Sequence, residues 1–424
     1  MILLLENINR KNYDGRLASY RKHGGYEALE KALAMDPSSI ISEVKKSGLR
    51  GRGGAAFPTG LKWEFTADAQ DNPKYVVCNA DEGEPGTFKD KLLMEKDPHM
   101  LIEGMAICGR AINSKHGFIY IRGEYFDAYR SMEKALDEAR CNGLIGKNIL
   151  GTDFSFDIEL YRGAGAYVCG EETALLDSLE GKKGQSRVKP PFPTFEGLRN
   201  KPTVLNNVET LSNIPHIIGK GGSWFSKIGN KTAPGTKLFC LSGDVKKPGV
   251  YEADMNTSLN ELINNYGGGP IGSLRAAFPG GLASSLLTPE KFNVQMNYAS
   301  VMKAGSMLGS GAVIAVNSTR CPVDLAANRM VEFFDHESCG KCTPCRQGTK
   351  RAKEILQNIS GGNGTLQDIE TLRELADVLF DTSRCGLGQS ALTAIRSSID
   401  IFEDIFIEHI TKKKCQAGIC KFKR

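Results

Sequence analysis

Lys74-Tyr-Val-Val-Cys78-Asn79-Ala-Asp81-Glu82-Gly83-Glu84-Pro85-Gly86 is a β-rich run that ends in an acidic, glycine-containing turn. Aromatic and β-branched residues predict a strand over its first five positions, and the Gly and Pro that follow predict where it stops. Comparable runs recur at Gly117-Phe-Ile-Tyr-Ile121 and Phe156-Asp-Ile-Glu-Leu-Tyr161, while Met94 to Ile112 and Phe126 to Ala139 read as helices between them. Alternation of this kind predicts an α/β layer architecture from about residue 48 to 235. Asp81, Glu82 and Glu84 place three carboxylates in four residues at a strand end. They suit ribose hydroxyl acceptors or metal ligands, and a solvated acidic turn is the simpler alternative.

Upstream lies Leu49-Arg50-Gly51-Arg52-Gly53-Gly54-Ala55-Ala56-Phe57-Pro58-Thr59-Gly60. Glycines let backbone N–H groups approach a phosphate, and arginines complement its charge. A dinucleotide fingerprint would need a strand before this loop. Ile40 to Ser47 reads as a helix instead, and tight turns need glycine anyway. Downstream, Gly163-Ala-Gly-Ala-Tyr167-Val-Cys-Gly170-Glu171-Glu172-Thr173 repeats the theme: a glycine turn, an aromatic for stacking, then paired carboxylates opening a helix. Acidic residues in a first helical turn are also ordinary dipole chemistry. Lys189-Pro-Pro-Phe192-Pro193 and Leu205-Asn206-Asn207-Val208-Glu209-Thr210 complete the set.

Cys339-Gly-Lys-Cys342-Thr-Pro-Cys345 is followed by a distant Cys385. Three thiols at this spacing and one remote thiol match the ligand pattern of a [4Fe-4S] cluster, whereas four-thiolate zinc sites usually come as two C-x-x-C pairs. Such a cluster moves single electrons. Two glycine loops, an aromatic and ribose-type acceptors upstream of it suit a nucleotide that takes hydride and releases electrons singly, which a flavin does and a nicotinamide does not.

The bulk properties agree with a water-soluble redox protein. The chain has 424 residues, 41% apolar and 24% charged, which predicts two or three domains and a globular composition. A net charge of +5 is small for this length and argues against nucleic-acid binding. Met1-Ile-Leu-Leu-Leu5 meets Glu6 at once and has no basic n-region, so it is not read as a signal peptide. No stretch approaches the ~20 apolar residues that span a bilayer, so direct membrane insertion is not expected. Twelve cysteines without a secretory signal predict a reducing compartment, the cytoplasm or, in a eukaryote, an organelle matrix. The lysines at Lys412 to Lys414 and Lys421 to Arg424 read as a solvated tail or a surface for an acidic partner.

Three domains are expected: residues 1–235, a polar helical lead-in with an α/β nucleotide domain; 236–320, a small α+β domain; and 321–424, a helical bundle carrying the cluster. Helices are expected at Tyr26 to Leu33, Leu259 to Tyr266, Asp324 to Phe334, Thr343 to Ile359, Thr365 to Asp381 and Gln389 to Ile410, with Gly361-Gly-Asn-Gly364 as a turn.

Arg50-Gly-Arg-Gly-Gly54 with Phe57-Pro-Thr-Gly60, Cys78-Asn-Ala-Asp-Glu82 with Glu84-Pro-Gly86, Gly163 to Leu175, Lys189-Pro-Pro-Phe192, Asn206-Asn-Val-Glu-Thr210 and Glu337 to Arg346 occur in order. Together they closely resemble the NADH-binding flavoprotein subunit of respiratory complex I and its relatives in NAD-linked hydrogenases and formate dehydrogenases, over nearly the whole length. The resemblance implies a Rossmann-like domain holding FMN and NAD(H), a ubiquitin-like β-grasp domain and a helical [4Fe-4S] bundle. It implies FMN contacts at Gly51, Arg52, Gly53, Gly54, Lys62, Asn79, Asp81, Gly170, Glu171, Asn206, Asn207 and Thr210, with Glu82 among the cofactor-binding acids. NADH would pack on Phe57, Phe65 and Phe192, near Glu84, Tyr167, Glu172 and Lys189. Glu84 is the residue assigned to the catalytic position. Acidic groups near the adenosine ribose would favour NADH over NADPH.

The implied activity is hydride transfer from NADH to FMN and one-electron transfer through the Cys339/Cys342/Cys345/Cys385 cluster. Its recipients would be a thioredoxin-fold [2Fe-2S] subunit and a larger iron–sulfur subunit. The residues around Cys385 and the ending His409, Cys415, Cys420 look more like the soluble NAD-linked branch, which includes electron-bifurcating hydrogenases, than like membrane-attached complex I, the alternative. A non-catalytic cluster-bearing scaffold is the alternative of another class, and the intact glycine loops and aromatics argue against it. His409, Cys415 and Cys420 have zinc-compatible spacing with Cys321 as a fourth ligand, the alternative being reduced surface thiols. Cys108, Cys141, Cys169 and Cys240 are expected to be packing residues.

Overall fold

A computed structural model describes residues 2–422, so Met1, Lys423 and Arg424 of the terminal runs lie outside the described residues. The chain forms two compact units: Met1–Gly83, Thr87–Phe239 and Val250–Thr257 in one, Glu84–Gly86, Cys240–Gly249 and Ser258–Arg424 in the other.

In the first unit, three short helices, α1 (Leu17–Lys22), α2 (Glu27–Leu33) and α3 (Pro37–Ser47), precede α4 (Thr59–Asp68). The strands β1 (Tyr75–Ala80), β2 (His116–Ile121), β3 (Asp157–Arg162) and β4 (Thr203–Asn207) form one parallel sheet in the order β3-β2-β1-β4. Val76, Val77 and Cys78 are all buried although successive side chains point to opposite faces, so β1 is covered on both sides. α5 (Lys89–Lys96), α6 (Pro98–Ile112), α7 (Phe126–Cys141), α8 (Glu172–Leu179), α9 (Pro193–Glu196) and α10 (Val208–Ser212) follow in chain order.

The helix expected over residues 94–112 is two helices. Pro98 lacks an N–H and disfavours the helical region for the residue before it, so Asp97 turns out at φ −142° and Pro98 restarts the chain as the first residue of α6. α6 is buried at every position except Arg110 and forms the spine of the core. At Gly104 a side chain would overlap the Leu211 carbonyl, so glycine there lets α6 lie against α10. Glu103, inside α6, anchors the lead-in helices: its carboxylate accepts from the Tyr20 hydroxyl at 2.5 Å and from the N–H groups of Tyr26 and Leu29 at 3.0 Å each.

β4 is not anticipated from the sequence, because its apolar content is only Val204 and Leu205. Pairing with β1, Tyr75 opposite Thr203 through Asn79 opposite Asn207, makes it a strand. β1 and β4 are neighbours, yet β1 connects onward to β2 on its other side, so the strand order reverses between β1 and β4.

β5 (Thr236–Gly243) carries the chain into the second unit. There its Cys240–Gly243 end runs parallel to β7 (Ala312–Asn317), and β7 pairs antiparallel with β6 (Leu274–Phe278). Beyond residue 321 this unit is helical, including α11 (Thr343–Ser360), α12 (Leu366–Thr382), α13 (Gly386–Ser390), α14 (Thr393–Ile401) and α15 (Glu403–Thr411). The single helix expected over residues 389–410 is therefore three. Thr365 and Asp368 form a capping box that starts α12 just after the glycine turn. Among the described residues no helix is long and apolar enough to cross a membrane.

Candidate functional site

The glycine loop joins two helices, α3 and α4. It closes on itself through Gly51 N–H to the Phe57 carbonyl and Thr59 N–H to the Leu49 carbonyl, both 2.9 Å. Gly54 has φ +131°, a conformation that costs an L side chain dearly. The Arg52 N–H donates to Thr210 Oγ1 at 2.8 Å, which ties the loop to α10. The Arg52 guanidinium corrects the expectation of arginine charge at a phosphate. It is fully buried and donates to the Pro234 carbonyl at 2.6 Å, with Met255 Sδ at 3.3 Å, so this loop can offer a ligand its backbone and not that side chain.

Ligands of open parallel sheets bind outside the carboxyl ends of the strands, where the strand order reverses. Here that point lies between β1 and β4, and both strands carry asparagines at their carboxyl ends, Asn79 next to last in β1 and Asn206 and Asn207 last in β4. Asn79 Nδ2 donates to the Gly170 carbonyl at 2.9 Å, and Asn79 Oδ1 accepts the Asp81 N–H at 3.1 Å. On β4, Asn206 Oδ1 accepts from the Trp63 indole at 2.8 Å, and Asn207 Nδ2 donates to Asp90 Oδ2 at 2.6 Å. Lys62, on α4, donates to the Leu205 carbonyl at 3.1 Å. Glu171 caps α8 by accepting from the Thr173 and Ala174 N–H groups, both 2.9 Å. Glycine turns, strand-end amides and a lysine thus converge at the switch point, and this donor set fits a phosphorylated, amide-rich cofactor such as FMN.

Beside them is a charge box. Glu172 lies 3.6 Å from Lys62 and 2.8 Å from Lys189, and Lys189 lies 2.9 Å from Glu171. Burial alone would raise the Glu172 carboxyl, but Lys62 and Lys189 outweigh it and hold the group below the usual carboxylate range. Phe57, Phe65 and Phe192 are all substantially exposed, as is Phe195, so flat apolar faces are open for stacking. Tyr167 borders Gly83, where an added Cβ would come 2.9 Å from its ring.

Two expected residues have other duties. The Glu82 carboxylate accepts the N–H groups of Asp90 and Lys91 at 2.9 and 3.0 Å and the Tyr125 hydroxyl at 3.1 Å, so it is spent on the start of α5. Burial, aided by Asp90, pushes it up to about 7. Glu84 belongs to the second unit, where Oε1 accepts the Ala283 N–H at 2.9 Å. Trp63, Lys89 and Asp90 were invisible as site residues in the sequence. None sits in a glycine or acidic motif, and only tertiary packing, of α4 for Trp63 and of the start of α5 for Lys89 and Asp90, brings them to the asparagines.

In the second unit, Cys342 caps α11, Cys345 lies in its first turn and Cys385 caps α13. The N-terminal end of an 18-residue helix favours thiolate charge. Burial, with Cys342, Cys385 and Cys339 close by, pushes the Cys345 thiol up to about 11. At Gly388 an added Cβ would come 3.0 Å from the Cys345 Cβ, so glycine lets the Cys385 turn approach. Four thiols drawn together from two turns suit a compact iron–sulfur core.

A second set of ligands gathers at the end of α15. One ligand atom each of Cys321, His409, Cys415 and Cys420 lies within 4.8 Å of the others. Cys108, Cys169 and Cys240 are buried as expected, whereas Cys141, at the end of α7, is exposed because its side chain falls off the helix's apolar stripe.

Fold and site define a flavin- and iron–sulfur-binding oxidoreductase subunit. Residues 44–216 match the model of the Nuo51 FMN-binding domain, 238–281 that of the SLBB domain, and 325–409 that of the NADH-ubiquinone oxidoreductase-F iron-sulfur binding region. An NADH-quinone oxidoreductase subunit of Rhizobium meliloti is 49% identical over 417 residues, 97% of this chain and 98% of the relative. NADP-reducing hydrogenase subunit HndC of Solidesulfovibrio fructosivorans is 47% identical, over 93% of this chain and 81% of its own. A crystal structure of NAD+-reducing [NiFe]-hydrogenase in the H2-reduced state superposes with a TM-score of 0.85 at 36% identity, covering 95% of this chain and 68% of that one. The chain belongs to the NADH-ubiquinone oxidoreductase-F family, with its FMN-binding domain and [4Fe-4S]-binding region.

Proposed function

We propose that this chain is the NADH-oxidising subunit of a multi-subunit complex and passes electrons singly to its partners. The observation that carries this reading is the meeting of the glycine loop, Asn79, Asn206, Asn207 and Lys62 at the reversal of strand order, in a chain that also gathers Cys339, Cys342, Cys345 and Cys385. FMN, when bound, takes two electrons as hydride and gives them up one at a time. The chain's own part is to bind and orient. The backbone N–H groups of Gly53 and Gly54, those of Gly51 and Arg52 being taken by the Phe57 carbonyl and Thr210 Oγ1, and the strand-end asparagines hold the flavin nucleotide. Phe57, Phe65 and Phe192 stack the nicotinamide nucleotide, and the Glu171/Glu172 carboxylates repel a 2′-phosphate and select NADH. No side chain is required as a general acid or base. The four cysteines hold the [4Fe-4S] cluster, and the recipients are a thioredoxin-fold [2Fe-2S] subunit and a larger iron–sulfur subunit of a soluble NAD-linked complex.

The reconstituted chain, given NADH and ferricyanide, should show turnover that disappears when FMN is removed and returns when it is restored. Protein that takes up iron but no FMN would overturn this reading in favour of a cluster-bearing scaffold.

Cys321, His409, Cys415 and Cys420 are proposed to hold zinc. Tetrahedral zinc, with thiolates at about 2.3 Å and imidazole at about 2.0–2.1 Å, sets its ligand atoms roughly 3.5–3.8 Å apart. Cys321 Sγ lies 3.4 Å from His409 Nε2 and 3.7 Å from Cys420 Sγ. His409 Nδ1 bonds the Ile405 carbonyl at 2.8 Å, which leaves the Nε2 lone pair toward the thiols.

A further inference from the structure

Behind the strand-end asparagines lies a set of buried charges. The side chains of Lys89 and Asp90 at the start of α5, Glu209 in α10 and Lys237 in β5 are at most 3% exposed. Lys89 Nζ contacts Asp90 Oδ1 at 2.7 Å and Glu209 Oε2 at 2.9 Å, and Lys237 Nζ lies 3.4 Å from the same Glu209 oxygen and from the Arg52 carbonyl. Charges this deep persist only when paired.

Their effect falls on Asn207. Its Oδ1 accepts the Glu209 N–H at 3.0 Å and faces the Lys89 ammonium at 3.4 Å, while Nδ2 donates to Asp90 at 2.6 Å. A flipped amide would set oxygen against the Asp90 carboxylate and N–H groups against an ammonium, so one orientation is fixed. An amide has two N–H donors and two oxygen lone pairs. Both lone pairs and one donor are spent inside the protein, and a single N–H remains. The glycine loop comes close to this side chain: a Cβ on Gly53 would lie 3.1 Å from the Asn207 Cβ.

We propose that Lys89 and Asp90 are positioning residues that make Asn207 a donor-only contact, so that the flavin site accepts an acceptor oxygen, on the ring or on the phosphate, at this point. This rests on the FMN reading. Cofactor-free protein is titrated with FMN and with riboflavin, following flavin fluorescence, for wild type, Asp90→Asn, Asn207→Ala and the double variant. Asp90→Asn keeps the shape but frees the amide to flip, and FMN should bind roughly tenfold more weakly, as in Asn207→Ala. The double variant should lose no more than Asn207→Ala alone. Loss with both flavins puts the acceptor on the ring, and loss with FMN alone puts it on the phosphate; either supports the proposal. Unchanged FMN binding in Asp90→Asn, or additive losses in the double variant, would overturn it. Wild-type protein that binds no FMN would instead overturn the flavin reading beneath it. If Asp90→Asn does not fold, the exchange of Asp90→Asn with Asn207→Asp restores a paired amide and carboxylate. That protein should melt near wild type yet bind FMN at least about tenfold more weakly, because the carboxylate introduced at position 207 cannot donate; wild-type-like FMN binding in it would refute the donor role.

Discussion

The Trp63 indole N–H donates to Asn206 Oδ1 at 2.8 Å, so a fully buried side chain on α4 fixes the amide at the end of β4. Trp63→Phe should leave that oxygen buried and unpaired, at about 1–3 kcal/mol. Denaturant unfolding should show the loss, and FMN titration should show weaker binding because Asn206 is free to turn. Destabilisation without any change in FMN affinity would remove Asn206 from the flavin site.

Cys385 is the one proposed cluster thiol supplied from outside the Cys339-to-Cys345 turn. Cys385→Ser should abolish the electron paramagnetic resonance signal of the reduced cluster and electron delivery to the partner subunits. FMN content and NADH–ferricyanide turnover should persist. A variant that keeps its full iron content would show that another ligand closes the site.

Cys420→Ser should release zinc and leave the iron content unchanged, because Cys321, His409, Cys415 and Cys420 are a set separate in sequence from the cluster cysteines. Elemental analysis of the purified chain decides this. Fully iron-loaded wild-type protein without zinc would refute the assignment.

Burial raises the Glu103 carboxyl from an ordinary value near 4.5 to about 7, against the Tyr20 hydroxyl and the backbone N–H groups that favour the ion. The folded state therefore holds this proton more tightly than the unfolded chain. Stability from this group is full below about pH 4.5 and is lost as pH rises through about 7, on the order of 3 kcal/mol in all. Glu103→Gln cannot ionise, so wild-type Tm should fall relative to the variant between pH 5 and pH 8. A constant difference across that range would contradict the shift.

Glu172 holds two lysines and is itself kept ionised by them. Glu172→Gln should raise KM for NADH more than it lowers kcat, and should raise the NADPH-to-NADH ratio of kcat/KM, because the charge opposing a 2′-phosphate is reduced. Steady-state kinetics with both nucleotides test this. An unchanged ratio would place the ribose selection elsewhere.

Features that depend on neighbours in the chain were legible in the sequence. The strand from Tyr75, the helices α7, α11 and α12, the glycine loop and the Cys339-Cys342-Cys345 turn all follow from periodicity, turn chemistry and ligand spacing. The break at Asp97 was legible too, since Pro98 stood in the stretch read as one helix. β4 was not, because two apolar residues become a strand only through hydrogen bonds to β1. The duty of Glu82 and the inward course of Arg52 were hidden for the same reason: the atoms that claim those charges, the α5 amides and the Pro234 carbonyl, are set by packing.

The lone Cys321 and the cysteines of the C-terminal tail mark the same boundary. Spacing alone determined that this chain carries an iron–sulfur motif and glycine loops suited to a nucleotide. Only the tertiary structure decided that Cys321 meets His409 and Cys420, and that Lys89 and Asp90 orient Asn207. Ligation and charge pairing act over a few ångströms of space, and across tens of residues it is the fold that brings the partners to that distance.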